Sequence, residues 1–195
     1  MVWRSAILAS LLVLAAVSAG VAQDQPAVPQ ESQWAEFQYP DRGFAISFPA
    51  TPHVTSTPVR GQNPLMQHDF QVSLGEDTVY SVVVFEYPEG RAPKPETDYY
   101  LKLVNAYAKG SETRVRQKGP ATVATRQGYE AAAEDGRGKL NHLVAIVADG
   151  DHIYMLASAG PKEHAQSKDA ERFRDSFRLL SEPPASQSAA TPPAE

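Results

Sequence analysis

The chain contains 195 residues, with a formal net charge of −5 and no cysteine. The lack of cysteine excludes disulfides and thiolate metal sites, so an exported form of this chain is stabilised by its core alone. A mildly acidic chain without a long basic run is unlike proteins that bind nucleic acid or anionic membranes. We therefore expect neither as a partner.

Residues 1–22 have the three parts of a secretory signal peptide. Arg4 supplies the positive start, residues 6–17 form an apolar stretch, and small residues follow, so that cleavage falls after Ala22 or after Ala19. The alternative is an uncleaved membrane anchor, although the apolar run is slightly short for a span. We expect a periplasmic or secreted protein without stable membrane insertion after cleavage near Ala22.

Two further segments have the composition of connecting or disordered chain. Residues 23–33 are polar and contain proline, which predicts a linker. Residues 181–195 consist of Pro, Ala, Ser, Thr, Gln and Glu, and such a segment buries too little apolar surface to offset its chain entropy. We expect one folded domain over residues 34–180, with both tails acting as spacers.

The first half of this domain has the pattern of strands. In residues 44–48, Phe44, Ile46 and Phe48 alternate with small residues, which indicates one buried face. Residues 77–87 are apolar on both faces, which is typical of a central strand. Strands are predicted at 34–39, at 44–48 after the turn at residues 40–43, at the sheet edge over 54–59, and at 65–74 and 77–87.

Residues 96–109 change to a helical period. Tyr100, Leu103, Val104 and Tyr107 form an apolar stripe, Thr97 is a candidate N-cap, and Gly110 follows the last periodic residue. After this predicted helix, the sequence has short strand-like segments separated by glycine-containing turns. These segments are predicted at 112–117, 121–126 and 129–134.

The stretch 140–160 predicts a hairpin at the centre of the sheet, because two apolar runs flank Asp149-Gly150. With those two residues as the turn, Ile146 faces Ile153 and Val144 faces Met155. A turn at Gly150-Asp151 would shift this register. Both runs are apolar on both faces, so we expect layers on each side of the sheet.

The last predicted helix spans residues 162–177, with charges on its outer face. Its apolar stripe, together with the central strands, supplies the predicted core. The residues expected to be buried are Val82, Val84, Val144, Ile146, Ile153, Leu156, Phe173 and Phe177.

Two short motifs resemble the PsbP-like superfamily. Residues 39–49, YPDRGFAISFP, resemble its Y…GFSI.FP start, and residues 173–180, FRDSFRLL, are similar to its …SF… close. The superfamily includes a eukaryotic Ran-binding nuclear import factor and small exported bacterial proteins of unknown function. The resemblance implies an α+β fold with helices packed on a central antiparallel sheet, an α/β/α sandwich. It implies binding of partners, generally proteins, and no catalysis, and it offers no functional motif to carry over.

The residues themselves show little sign of catalytic chemistry. None of the five histidines has a metal-ligand spacing, and Ser73, Ser81 and Ser158 lack the flanking glycines of a nucleophile elbow. We therefore expect no metal, no cofactor and no enzymatic activity. The carboxylates that could pair for hydrolysis are Glu86, Glu89, Glu130, Glu134 and Asp135.

The sequence favours an exported, non-catalytic binding or accessory protein of the cell envelope, with another envelope protein as its partner. The alternative is a small-molecule or lipid-binding protein with an apolar cleft between helix 96–109 and the sheet, and the third possibility is a hydrolase. The aromatic residues around that helix fit either a cleft or plain packing. Tyr87 and Arg91, in the loop that precedes the helix, are the first residues to test as a binding site.

Overall fold

A computed structural model describes residues 34–59, 65–136 and 140–180, so the expectations for the signal peptide 1–22, the linker 23–33 and the tail 181–195 lie outside the described residues. Two short 3-10 turns lie at Pro40–Arg42 and His164–Gln166. The helices are α1 Thr97–Gly110 and α2 Lys168–Asp175. The strands are β1 Ala35–Tyr39, β2 Phe44–Phe48, β3 His53–Pro58, β4 Met66–Leu74, β5 Thr78–Glu86, β6 Thr113–Val123, β7 Arg126–Asp135, β8 Leu140–Asp149, β9 His152–Pro161 and β10 Arg178–Leu179.

Within the described ranges, the strands form two antiparallel sheets. The larger sheet has seven strands in the order β3-β4-β5-β9-β8-β7-β6, and the smaller has the order β1-β2-β10. The long hairpin β8–β9 and strand β5 therefore lie in the middle of the larger sheet. This position is the one predicted from the apolar residues on both of their faces. Strand β3 lies at an edge of that sheet, also as predicted.

A layer covers each face of the seven-stranded sheet. Helix α1 packs on one face through Tyr100 and Val104. The small sheet and α2 pack on the other face through residues such as Phe44, Phe48 and Phe173. The fold is α+β, but it is dominated by sheet. The expectation of helices on both faces is right in part, because the second layer consists mainly of β1, β2 and β10 with one short helix.

The predicted core is confirmed. Each of the eight residues named from the sequence is at most 3% exposed. They divide between the two layers: Val82, Val84, Leu156, Phe173 and Phe177 face the small sheet, whereas Val144, Ile146 and Ile153 face α1.

The first register predicted for the central hairpin is wrong. Asp149 pairs with His152, so the turn residues are Gly150-Asp151, and Ile146 pairs with Met155 instead of Ile153. Gly150 has a φ of 57°, whereas Asp151 has no positive φ. Glycine with positive φ at the first central position is the requirement of a type II′ turn, and this requirement selects the alternative register.

The β6–β7 hairpin also differs from expectation, with two long strands where three short ones were predicted. Pro120 lies inside β6, which tolerates it because an edge strand needs no N–H at every position. The turn falls at Ala124-Thr125. Gly128 lies within β7. The strand requires a glycine at this position because a Cβ there would lie 2.3 Å from the Ile146 carbonyl oxygen.

The boundaries of both helices differ from those predicted from the sequence, for local reasons. Helix α1 has Glu96 rather than Thr97 as its N-cap and continues through Gly110, and the Ser111 hydroxyl then donates to the Tyr107 carbonyl. The last helix is shorter than predicted. Its N-cap is Ser167, whose hydroxyl accepts from the Ala170 N–H, so the α-helical turns begin only at residue 168.

Candidate functional site

One end of the seven-stranded sheet gathers several turns. Strands β5, β6 and β8 all end there, so the turns Ala124-Thr125 and Gly150-Asp151 and the loop at residues 88–91 lie at the same edge. These two turns and this loop together define a surface at one end of the strands, which we call the turn end. Loops held by a rigid sheet are common positions for binding residues.

A cleft of about 690 Å³ lies beside the Ala124-Thr125 turn. One wall is formed by residues 122–126, and the other by the chain that follows α2, residues 177–180. Asp149, Arg174 and Asp175 complete the lining. The cleft thus lies between the β6–β7 hairpin and the segment that carries the last motif of the chain.

The charges around the cleft are balanced. Arg126 is 58% exposed and lies 2.6 Å from Asp149. The pKa of Arg174 is raised by its hydrogen bond to Asp175 and by the nearby Glu130. Because each arginine at the cleft has a carboxylate beside it, the lining shows both signs of charge, without the excess positive charge that would select an anion. The other pairs are Arg174–Asp175 at 2.8 Å, Arg174–Glu130 at 3.1 Å and Arg178–Glu36 at 2.8 Å.

The turn at the mouth of this cleft is strained. Ala124 has a φ of 46° and Thr125 a φ of 67°, both in the left-handed region. A two-residue hairpin turn of this kind normally contains Asn-Gly or Asp-Gly, and a side chain with a Cβ costs about 1–2 kcal/mol there. Threonine is β-branched, which adds to the strain. Strained backbone of this kind clusters at functional sites.

The loop predicted as the first site to test is tied to the β8–β9 turn. The Tyr87 N–H donates to the Asp151 carbonyl at 2.9 Å, and the Gly90 N–H donates to the Asp151 carboxylate at 2.9 Å. The Arg91 N–H donates to the Pro88 carbonyl at 2.9 Å. These bonds hold the loop in one conformation at the turn end.

Tyr87 and Arg91 have different environments. The Tyr87 hydroxyl lies 2.8 Å from the Tyr99 hydroxyl of α1, and burial together with this contact raises the pKa of Tyr99. Tyr87 thus contributes to packing between the loop and α1. Arg91 is exposed, so it is the member of the predicted pair that a partner could reach directly.

The interface between α1 and the sheet is filled by side chains. Tyr100 and Val104 of α1 are buried against Tyr129, Ile146 and Ile153, with the Tyr100 and Tyr129 rings 6.3 Å apart. The described clefts are lined by other residues. Packing of the aromatics is therefore the arrangement that the described residues show at this interface.

Tyr80 does not belong with the other aromatics near α1. It lies on β5 like Phe85, but it faces the small sheet, where its ring lies 5.3 Å from those of Trp34 and Phe173. The reason is strand alternation, since even and odd residues of β5 point to opposite faces.

Among the five candidate carboxylates, Glu86, Glu130 and Glu134 contact basic side chains. Glu86 lies 3.2 Å from Arg42 and 2.8 Å from His68, and Glu134 pairs with Arg116. In the described ranges, no group of three or more His, Cys, Asp or Glu residues could hold a metal ion. Sequence reasoning missed Arg42 and His68, whose contacts with Glu86 depend on how β4, β5 and the 40–43 turn are aligned.

Neither helix in the described ranges is long and apolar enough to cross a membrane.

The architecture described above is that of a PsbP-like fold. The solution structure of cyanobacterial PsbP (CyanoP) from Synechocystis sp. PCC 6803 is similar to this chain with a TM-score of 0.54 and 12% sequence identity, over 84% of this chain and 98% of that one. A crystal structure from Bacteroides thetaiotaomicron aligns with a TM-score of 0.43 and 12% identity, over 75% of this chain and 48% of that one. No protein-family model and no curated protein matches the chain. The similarity confirms the PsbP-like fold that the two motifs indicated, whereas the expected α/β/α sandwich is right only as a sheet-dominated α+β fold.

Proposed function

We propose that this protein is exported and acts as a binding or accessory protein of the cell envelope, with a protein partner bound at the turn end. The signal-peptide pattern at residues 1–22 supports export. The cleft beside the Ala124-Thr125 turn supports binding, because it combines concavity, strain and accessible charges in one place.

The strained turn carries this proposal. A hairpin that served only to reverse the chain would be more stable with glycine at Thr125, since glycine adopts positive φ without steric cost. A threonine with a φ of 67° presents an exposed side chain at the mouth of the cleft instead. We infer that Ala124 and Thr125 contact a partner.

The mixture of charges favours a protein as the partner. Protein interfaces commonly have a polar rim around a less charged centre, and arginine is enriched in them. The cleft has both kinds of lining, because apolar Phe177 and Leu179 line it together with the ion pair of Arg126 and Asp149. Arg91, in the neighbouring loop, extends the same accessible edge.

Two arginines of the same hairpin provide a matched test. Arg126 lies at the turn end and pairs with Asp149, whereas Arg116 lies near the start of β6 and pairs with Glu134. Their side chains are 58% and 52% exposed, so each substitution removes a comparable surface ion pair. Such pairs contribute little to stability, about 0–1 kcal/mol.

The experiment is a crosslinking pull-down of the mature protein from its own envelope fraction. Arg126→Ala is expected to weaken capture of the crosslinked partner, and Arg116→Ala is expected to leave it unchanged. Equal capture by both variants and the unmodified protein would remove the turn end from the proposal. The melting temperature of each variant shows whether a loss of capture comes from unfolding.

A further inference from the structure

Three neighbouring strands bring Ser56, His68 and Glu86 into one hydrogen-bonded chain. The Ser56 Oγ lies 2.7 Å from Nδ1 of His68, and Nε2 of His68 lies 2.8 Å from Oε2 of Glu86. Ser56 of β3 pairs with His68 of β4, which pairs with Val84 of β5, so Glu86 follows two residues later on the same face.

One arrangement of protons on these polar atoms makes Ser56 the donor to His68. A neutral His68 with its proton on Nε2 donates to the Glu86 carboxylate, which leaves Nδ1 to accept the proton of the Ser56 hydroxyl. Arg42 approaches the same Glu86 oxygen to 3.2 Å and holds the carboxylate in place. Serine, base and orienting acid are the three roles of an activated nucleophile, with the two ring nitrogens exchanged relative to the usual arrangement.

The accessibility of these groups also suits a reaction. His68 is 3% exposed, so it is shielded from bulk water, whereas Ser56 is exposed and open to a substrate. Among the described residues, β3 has a strand neighbour on one side only. Alternate backbone N–H groups along its outer side therefore have no strand partner and can donate to an oxyanion.

We propose that Ser56 is an activated nucleophile that takes an acyl group from a small ester, an activity beyond the binding proposed above. The Ser56 Oγ attacks the carbonyl carbon while its proton passes to Nδ1 of His68. When the ester C–O bond breaks, His68 returns this proton to the leaving alkoxide and an acyl-serine remains. Water, activated by His68, then hydrolyses the acyl-serine, releases the carboxylic acid and restores the Ser56 hydroxyl.

The first test is covalent labelling of the full chain with a fluorophosphonate probe. The unmodified protein and Ser73→Ala should be labelled, and Ser56→Ala should not. Ser73 is a matched control, since it is an exposed strand serine whose hydroxyl accepts from the Gln71 amide at 3.3 Å instead of contacting a histidine. Absence of labelling in the folded protein, or labelling that survives Ser56→Ala, would overturn the proposal.

The absence of cysteine permits a second test that does not depend on the probe. Ser56→Cys and Ser73→Cys each introduce a single thiol, whose reaction rate with iodoacetamide at neutral pH follows its thiolate fraction. A thiol beside His68 should react about tenfold faster than one at position 73, the effect of about one pKa unit. Adding His68→Gln to Ser56→Cys should remove the difference. Equal rates at the two positions would refute activation of Ser56.

Discussion

The Ser176 hydroxyl accepts a hydrogen bond from the backbone N–H of Ser47, with the two atoms 3.0 Å apart and the residues 129 positions apart in the chain. The same hydroxyl donates to the Phe173 carbonyl at 2.9 Å, and the Phe177 ring stacks on Phe44 at 5.7 Å. The two motifs that resemble the PsbP-like superfamily, near each end of the domain, are therefore parts of one contact. This contact joins the chain that follows α2 to β2 of the small sheet, and so holds that layer together.

Phe173→Ala should destabilise this layer strongly. Phe173 is 1% exposed, and its ring lies 5.4 Å from Phe48 and 5.3 Å from Tyr80. Deleting a buried phenylalanine side chain typically lowers the free energy of unfolding by about 3–5 kcal/mol. Chemical denaturation measures this change, and a loss below about 1 kcal/mol would contradict the docking of α2 described here.

Two glycines of the β6–β7 hairpin should respond differently to alanine. At Gly128 an added Cβ would lie 2.3 Å from the Ile146 carbonyl oxygen, a backbone atom that cannot move without disturbing the β7–β8 pairing. Overpacking of this kind costs about 1–3 kcal/mol or more. Gly119 has no atom within 4 Å of an added Cβ, so Gly119→Ala should change stability by less than about 1 kcal/mol.

Urea denaturation of both glycine variants checks this prediction. Equal stabilities for Gly128→Ala and Gly119→Ala would show that β7 and β8 are not as close as the pairing of Gly128 with Val147 requires.

The stability of the protein should fall as the pH is lowered from about 7.5 to 5.5. Burial lowers the pKa values of His142, His152 and His164 below the ordinary value of 6.5. The unfolded chain therefore takes up protons first as the pH falls through 6.5, which favours unfolding. The contribution of these neutral histidines to stability is complete above pH 6.5. It decreases as the pH falls from there to the lower pKa values of the folded state.

His152→Phe should reduce this pH dependence. The Nε2 of His152 is buried without a hydrogen-bond partner, so phenylalanine removes a titrating group without removing a hydrogen bond through that atom. Its ring should keep the stacking on Tyr154, at 5.9 Å in the native protein. Denaturation at the two pH values measures the difference, and an unfolding free energy that rises toward pH 5.5 would contradict the burial of these histidines.

Deleting residues 181–195 should leave both the melting temperature and the capture of a partner unchanged. This tail lacks the hydrophobic anchors and charge clusters by which disordered segments usually bind. A tail deletion that alone abolished capture would mean that the domain merely carries the binding segment.

Tyr87→Ala combined with Arg91→Ala should weaken capture if the 88–91 loop contributes to the binding site.

Much of the fold follows from local pattern. Strands β5 and β8, with the core residues that they carry, could be predicted because apolar side chains on both faces of a strand require two covering layers. The register of the β8–β9 hairpin could not, since Asp149-Gly150 and Gly150-Asp151 are both acceptable turns by sequence. The pairing of β10 with β2 involves only Arg178 and Leu179, which is too short for any periodicity to indicate.

The candidate sites were harder to predict than the core. Ala124-Thr125 contains neither glycine nor asparagine, so nothing in the sequence marks it as a turn. The Ser56–His68–Glu86 chain depends on two strand registers, and no motif joins residues separated by 12 and 18 positions. The residue types of Tyr87 and Arg91 indicated a binding loop, but only the contacts of this loop with Asp151 place it beside the Gly150-Asp151 turn.

Site-specific photo-crosslinking tests binding at the turn end most directly. A photoreactive residue would replace Thr122, which is exposed and lines the cleft, and in a second variant Glu76, which is exposed in the β4–β5 turn at the opposite end of the sheet. We predict that irradiation in the envelope fraction gives a discrete crosslinked protein from position 122 and none from position 76. A crosslink from position 76 alone, or equal crosslinks from both positions, would contradict binding at the turn end.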